Sequence, residues 1–223
     1  MGAAIAAVVI AYAIGSVPVA WLTGRALKGI DIRAYGSGNV GASNVFQAVS
    51  RSLVVPVGLA QIAQGASGPL VARALDAPTS AQVAAGLAAV VAHNWNPWLR
   101  LSGGRGVGPA IGFLLVLSPF ALAAFIAVSV AGVLLRAIPQ GVAAAMLSTP
   151  VVASAAQDGT AVVAGCVVLA ALVLLKRVLA NGAPDARYER PRVWLTRLVY
   201  DRDDPDRDAW VRRNLDDLPA ARP

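Results

Sequence analysis

Gly36-Ser37-Gly38-Asn39-Val40-Gly41-Ala42-Ser43-Asn44 carries a literal G-x-G-x-x-G at Gly36, Gly38 and Gly41, and two kinds of fold compete for it. A dinucleotide-binding fold requires a strand before this pattern, a helix opening after it, and an acidic residue about twenty positions on. Here an apolar run as long as a transmembrane helix precedes the loop, and Gln61 stands near the place of the acid. The α/β reading fails. What is left is a glycine-rich connection in an all-α integral membrane protein.

The loop suits phosphate. Three glycines in six residues let the backbone take φ > 0 and approach a ligand closely, so that successive N–H groups form an anion nest. Ser37, Asn39, Ser43 and Asn44 add neutral hydrogen-bonding groups. They could instead cap the helices on either side, but four such residues with three glycines in nine positions exceed what capping needs.

Composition agrees with the membrane reading. Of the 223 residues 57% are hydrophobic and only 14% are charged, too apolar for an ordinary soluble domain. The single Cys, Cys166, lies in an apolar run; with one Cys and one His there is no internal disulfide and no conventional zinc site. A formal charge of +7 would suggest nucleic acid in a soluble protein, but here the placement of the charge matters more than its sum. No nucleic-acid partner is expected.

Seven segments approach the ~20 residues a helix needs to cross a bilayer: Ala3–Leu22, Leu53–Leu75, Ala81–Leu99, Val107–Leu117, Ala121–Leu135, Gly141–Ala156 and Ala161–Leu179. The first lacks a basic region ahead of it and reads as a retained span rather than a cleaved signal. With the N-terminus outside, the inward connections and the tail hold 18 of the 19 Lys and Arg residues, leaving only Arg73 near the outer ends. This asymmetry predicts an N-outside, C-cytoplasmic chain with an odd number of spans. Pro18, Pro56 and Pro69 are expected to kink the first two, and Ala84, Ala85, Gly86, Ala88, Ala89 and Ala92 suggest a central place for the third. A membrane domain over 1–180 is therefore followed by a charged tail, 181–223. Its stretches 190–200 and 206–218 look amphipathic, and a solvated anchor without chemistry is the expected role.

A second inward connection runs from His93 through Ser102-Gly103-Gly104-Arg105-Gly106, joining paired glycines to a cation beside the chain's one His. Both loops follow odd-numbered spans, so they share a membrane face and can form one pocket. Arg33 and Arg105 have the alternative of snorkelling from span ends; for Arg105, bracketed by glycines, ligand binding is the expectation. His93 is equally at home as a polar interface residue. No span contains Asp or Glu, which argues against a proton or cation relay through the membrane. There is no nucleophile elbow and no P-loop lysine, so the substrate must bring its own activation.

At these residues the chain resembles the bacterial PlsY family, the membrane acyl-phosphate:glycerol-3-phosphate acyltransferases. The resemblance runs through Gly15-Ser16-Val17-Pro18, Gly29-Ile30-Asp31-Ile32-Arg33 and Gly36 to Phe46, then Ala89 to His93 and Ser102 to Gly112. The chain departs from the pattern at Gln47 (usually Arg), Gln61 and Gln64 (usually Asp and Lys), Ser102 (Lys) and Arg105 (the second Lys). A Ser-rich motif is absent near 138–142, and of the closing His and Asn motif only Lys176-Arg177 is similar.

The resemblance implies acyl transfer from acyl phosphate to glycerol 3-phosphate, giving lysophosphatidic acid at the cytoplasmic face of the bacterial inner membrane. It implies no cofactor, no metal and no obligate protein partner. Ser37, Asn39, Asn44, His93 and Arg105 are the expected catalytic residues; Arg33, Gly36, Gly38, Gly41, Ser43, Gly103 and Gly104 are expected to bind phosphate. The alternative is a catalytically degenerate relative that binds or transports a phosphorylated lipid or small anion. The lost cations favour that alternative, whereas the retained glycine loops favour catalysis.

Overall fold

The computed structural model describes residues 1–181, 190–204, 206, 208, 210 and 215. Among these the chain forms ten α-helices: α1 (Gly2–Gly15), α2 (Val19–Lys28), α3 (Ala42–Ala48), α4 (Val54–Ala74), α5 (Thr79–Asn94), α6 (Val107–Leu117), α7 (Pro119–Leu134), α8 (Ile138–Ala155), α9 (Thr160–Leu179) and α10 (Arg190–Tyr200). Short 3₁₀ turns occupy Ile32–Ala34, Arg51–Leu53 and Pro97–Leu99. Four helical stretches are long and apolar enough to cross a membrane: Gly2–Lys28, Arg51–Ala74, Ile138–Ala155 and Thr160–Leu179. Each of the three remaining apolar runs holds a shorter helix, α5, α6 or α7.

Small residues set how closely these helices pack, since in lipid the gain comes from dispersion between surfaces that can approach. A Cβ on Gly65 of α4 would overlap the carbonyl of Pro109 on α6, and one on Gly112 of α6 would overlap that of Ile62. Phe113, fully buried, lays its ring against Gly86 of α5 and Gly165 of α9, where a Cβ would stand 2.6 Å and 3.1 Å from ring carbons. Around it Leu114, Met146, Leu169 and Val173 close the core shared by α6, α8 and α9. A second core is almost all alanine: Ala7 and Ala11 of α1 meet Ala72 of α4 and Ala85 and Ala89 of α5. The small-residue face of α5 thus packs inward as expected, except that Ala84 is exposed and Ala88 only half-buried.

Two expected spans differ from the structure. The first is two helices, not one kinked helix: α1 ends at Gly15, and Pro18 caps the start of α2. The break frees carbonyls that would be costly in hydrocarbon, and side chains remote in sequence take them. Gln64 Nε2 donates to Ile14 O and Val17 O at 2.9 and 2.8 Å, and Asn96 Nδ2 donates to Ser16 O at 2.7 Å. Pro69 does lie inside α4, while Pro56 sits in its first turn, where the missing N–H costs nothing. The third span stops at Asn94 rather than Leu99 because Trp95 and Asn96 leave the helical region ahead of Pro97, and the chain then turns through Arg100 and Leu101, both at positive φ.

Gln64→Leu keeps the volume and removes both donors. It is expected to destabilise the chain by about 1 kcal/mol, because two hydrogen bonds are lost while Ile14 O and Val17 O keep the N–H groups of Val17 and Val19. A lowered Tm in detergent, with α-helical circular dichroism unchanged below it, is the check.

The tail is not a solvated anchor over Arg190–Tyr200. Val193 and Arg197 of α10 are buried, and Arg197 Nη1 donates to Val178 O and Leu179 O at the end of α9. Its guanidinium also pairs with the buried Asp203. The second amphipathic stretch, 206–218, lies mostly outside the described residues; Trp210, within it, is buried.

Candidate active site

The glycine loop, the 95–106 loop and the end of α9 meet at one end of the helix bundle. Asn181 Nδ2, just past α9, donates to Gly38 O of the first loop at 3.2 Å and to Gly103 O of the second at 2.8 Å. Arg33 ties the same loops together: its Nη1 donates to Leu99 O at 3.0 Å, while Nε and Nη2 grip the Asp31 carboxylate at 2.9 and 2.6 Å. Three of its five N–H groups are therefore committed to the fold.

Asp31 is also the cap of the turn that carries Arg33. Burial pushes its carboxyl up, but the hydrogen bonds from the side chain and backbone N–H of Arg33 outweigh this and hold it at about 2. So acidic a carboxyl is a poor proton acceptor at neutral pH, and Asp31 is not the base of the site. The stability that this pair contributes is complete above the ordinary value of 3.8 and is lost as pH falls from there through about 2. A carboxyl NMR titration should find the Asp31 midpoint near the lower value, and Arg33→Ala should return it towards the upper one.

Two cavities open around these loops. One, about 510 Å³, is bordered by Arg33, Ser37, Gly38, Ser102 and Arg105 together with Arg197 of α10. The other, about 390 Å³, has Asn39, Ser43, His93 and Arg105 at its polar end and runs between Ile62, Ile111, Val142 and Val173 at its apolar end. Arg105 borders both. Its guanidinium is nine-tenths buried, with Nη1 donating to Lys176 O at 3.2 Å and Nε 2.8 Å from Asp201 Oδ1. A polar chamber and an amphipathic one thus adjoin at one guanidinium, which can hold a phosphate from either side.

The expected site residues divide by placement. Ser37, Asn39, Ser43, His93, Arg33 and Arg105 all border a cavity, as do Gly38 and Gly41. Gly36 and Gly38 take the positive φ that the loop requires, at 55° and 67°. Asn39 Oδ1 is buried with no protein hydrogen-bond partner, an acceptor available to a ligand hydroxyl. Asn44 borders neither cavity. It lies fully buried beneath the loop, accepting from Ser37 N–H at 3.2 Å and donating to Ile32 O and Tyr35 O at 2.9 and 3.1 Å.

Gly103 and Gly104 need correction. Their N–H groups are already spent on Asn94 O and His93 O. A Cβ on Gly103 would overlap His93 O, and one on Gly104 would overlap the His93 imidazole. The paired glycines let the loop lie on the end of α5; they are not a phosphate nest. Gln61 and Gln64, at positions where the resemblance implies an Asp and a Lys, are buried and turned to main-chain carbonyls. Among the described residues no cluster of His, Cys, Asp and Glu could hold a metal ion.

Sequence reasoning passed over Asn181, Arg177 and Asp201. Only Lys176-Arg177 gave a signal, as two adjacent cations ending an apolar span. Arg177 borders the second cavity with Asp201, and its Nη1 donates to Pro139 O at 2.8 Å and Leu198 O at 3.3 Å. Lys176, also buried, faces the Trp95 ring and Leu101 O instead.

Comparison with known proteins identifies the family. A family model described as glycerol-3-phosphate acyltransferase matches residues 5–181. The chain is 34% identical over 216 residues to glycerol-3-phosphate acyltransferase 4 of Dehalococcoides mccartyi strain CBDB1, covering 91% of this chain and 90% of that one. It is 45% identical over 128 residues to the glycerol-3-phosphate acyltransferase of Myxococcus xanthus, covering 56% of this chain and 66% of the relative. The crystal structure of PlsY, an integral membrane glycerol 3-phosphate acyltransferase, in its glycerol 3-phosphate form superposes with a TM-score of 0.73 at 27% identity, covering 78% of this chain and 88% of that one. Its lysophosphatidic acid form gives 0.70 at 26% identity, with 78% and 87% covered. With a family match over residues 5–181 and these relatives, the chain belongs to the PlsY family of membrane glycerol-3-phosphate acyltransferases.

Proposed function

We propose that the chain, an acyltransferase acting on glycerol 3-phosphate, takes its acyl group from an acyl phosphate and releases lysophosphatidic acid. The reaction would take place at the cytoplasmic face of the bacterial inner membrane. The observation that carries this reading is the sharing of Arg105 by a polar cavity and one with an apolar end. The first, with Ser37, Ser102 and Arg105 on its wall, has the room and polarity to admit glycerol 3-phosphate. The second offers a charged end for a phosphoryl group and an aliphatic passage between α4, α6, α8 and α9 for an acyl chain. Seven crossings, with the N-terminus outside, would bring 18 of the 19 Lys and Arg residues to the site's side of the membrane.

The chemistry asks little of the protein. The primary hydroxyl oxygen of glycerol 3-phosphate attacks the acyl carbonyl carbon, the bond from that carbon to the phosphate oxygen breaks, and the departing phosphate takes the hydroxyl proton as hydrogen phosphate. A good leaving group needs positioning and stabilisation of developing charge, not a strong base. Arg105 would hold phosphate, and Asn39 Oδ1 would accept from the attacking hydroxyl. Ser37 would orient the acceptor phosphate. His93, buried against Gly104, would support the second cavity or relay a proton. Asn44 acts through the loop it braces and so becomes a positioning residue.

Purified protein in nanodiscs with labelled glycerol 3-phosphate tests the reading. Lysophosphatidic acid is expected with acyl phosphate and not with acyl-CoA. Product from acyl-CoA alone would overturn the donor assignment.

A further inference from the structure

The family match ends at residue 181, and α10 lies beyond it. Yet the residue that follows α10, Asp201, reaches the candidate site: its Oδ1 lies 2.8 Å from Nε of Arg105 and 3.9 Å from Nε of Arg177, at the wall of the second cavity. Both guanidiniums are anchored without it. Arg105 Nη1 is held by Lys176 O, and Arg177 Nη1 by Pro139 O and Leu198 O. Their Nε edges are left converging on one point, and that point holds a carboxylate oxygen.

The carboxylate is held by charge rather than by an aligned hydrogen bond. At 2.8 Å it makes a charge contact with Arg105, but neither Arg105 Nε nor Asp201 Oδ1 has an aligned hydrogen bond. Asp201 also sits at φ 57°, a left-handed conformation that a non-glycine residue adopts at some cost. Two anchored arginines sharing one poorly aligned oxygen present better donors to a phosphoryl group, whose three oxygens can meet both.

We propose that Asp201 is a displaceable internal counter-anion: it occupies the phosphoryl position of the acyl-donor cavity between Arg105 and Arg177, and the donor must evict it to bind. This rests on the acyl-phosphate reading and adds two elements to it. Arg177 becomes a second phosphoryl ligand, and Asp201, at the end of α10, becomes the group that swings aside when the donor binds.

Asp201→Asn tests the idea with little risk to the fold, because Asn tolerates left-handed backbone and keeps the side-chain shape. The KM for acyl phosphate is expected to fall about tenfold, as loss of a competing charged partner implies. The KM for glycerol 3-phosphate should stay within twofold. A raised KM for acyl phosphate would mean that Asp201 orients Arg105, and an unchanged one that it is incidental; either overturns the proposal. Hydrogen exchange on the unaltered chain is an independent check, since acyl phosphate without acceptor should speed exchange over 198–204 and slowed or unchanged exchange counts against eviction. Should the chain prove to use another donor, direct binding of acyl phosphate to the native and Asp201→Asn proteins still decides: tighter binding by the variant upholds the counter-anion, and equal or weaker binding removes it.

Discussion

Arg105→Ala is expected to lower kcat/KM for acyl transfer by about 10³-fold, the upper range for removing one donor aimed at developing negative charge in a dry site. The residue earns this place by position. It is the cation that borders both cavities and adjoins the glycine loop, His93 and the end of α9. Loss of the side chain would also leave Asp201 facing only Arg177, at 3.9 Å. Arg105→Lys separates charge from shape. Lysine is what the resemblance implies at this position and keeps a cation, but here it lacks the planar fork that reaches Asp201 and Lys176 O from two edges, so a loss of about tenfold is expected. Steady-state rates in nanodiscs, with Tm measured on the same samples, provide the check. An alanine variant that folds and turns over within tenfold of the native rate would remove Arg105 from the centre of the site.

Much of the architecture was legible because hydropathy in a membrane protein is a strong signal. Each of the seven apolar runs contains a helix, and Val107–Leu117 has the expected bounds. The signal failed where backbone geometry, not polarity, decides. Pro18 marks a kink in an apolar run, yet the helix breaks outright there, and Gln64 and Asn96 support the break by donating to its carbonyls from 47 to 80 residues away. Pro18 signals the bend locally, but no local pattern shows which distant amides hold it. Gly103 and Gly104 misled for a related reason. Glycine serves an anion nest and a close helix contact equally well, and only the position of His93 and Asn94 tells the two apart. The tail misled through its charge. A charged tail reads as solvated, whereas in the fold its Arg197 and Asp201 pair with Asp203 and with Arg105, partners that no local pattern indicates.

Asn44 is the residue whose substitution best separates loop architecture from chemistry. Its amide is saturated: Oδ1 takes Ser37 N–H, while Nδ2 donates to Ile32 O and Tyr35 O. Asn44→Asp preserves the acceptor and the shape but replaces a donor shared by two carbonyls with a carboxylate oxygen. The variant buries a charge against two carbonyl dipoles in a fully enclosed position and is expected to cost about 3 kcal/mol. Because Asn44 touches neither cavity, the loss of activity should follow the loss of loop order. A drop in kcat/KM of about 10²-fold is expected from misplacement alone. It should be accompanied by faster hydrogen exchange over residues 35–44 and partly reversed at low pH, where the carboxyl protonates and regains one donor. If Asn44 instead contacts substrate, Asn44→Asp would lose activity with exchange over the loop unchanged. That outcome would return the residue to the catalytic set.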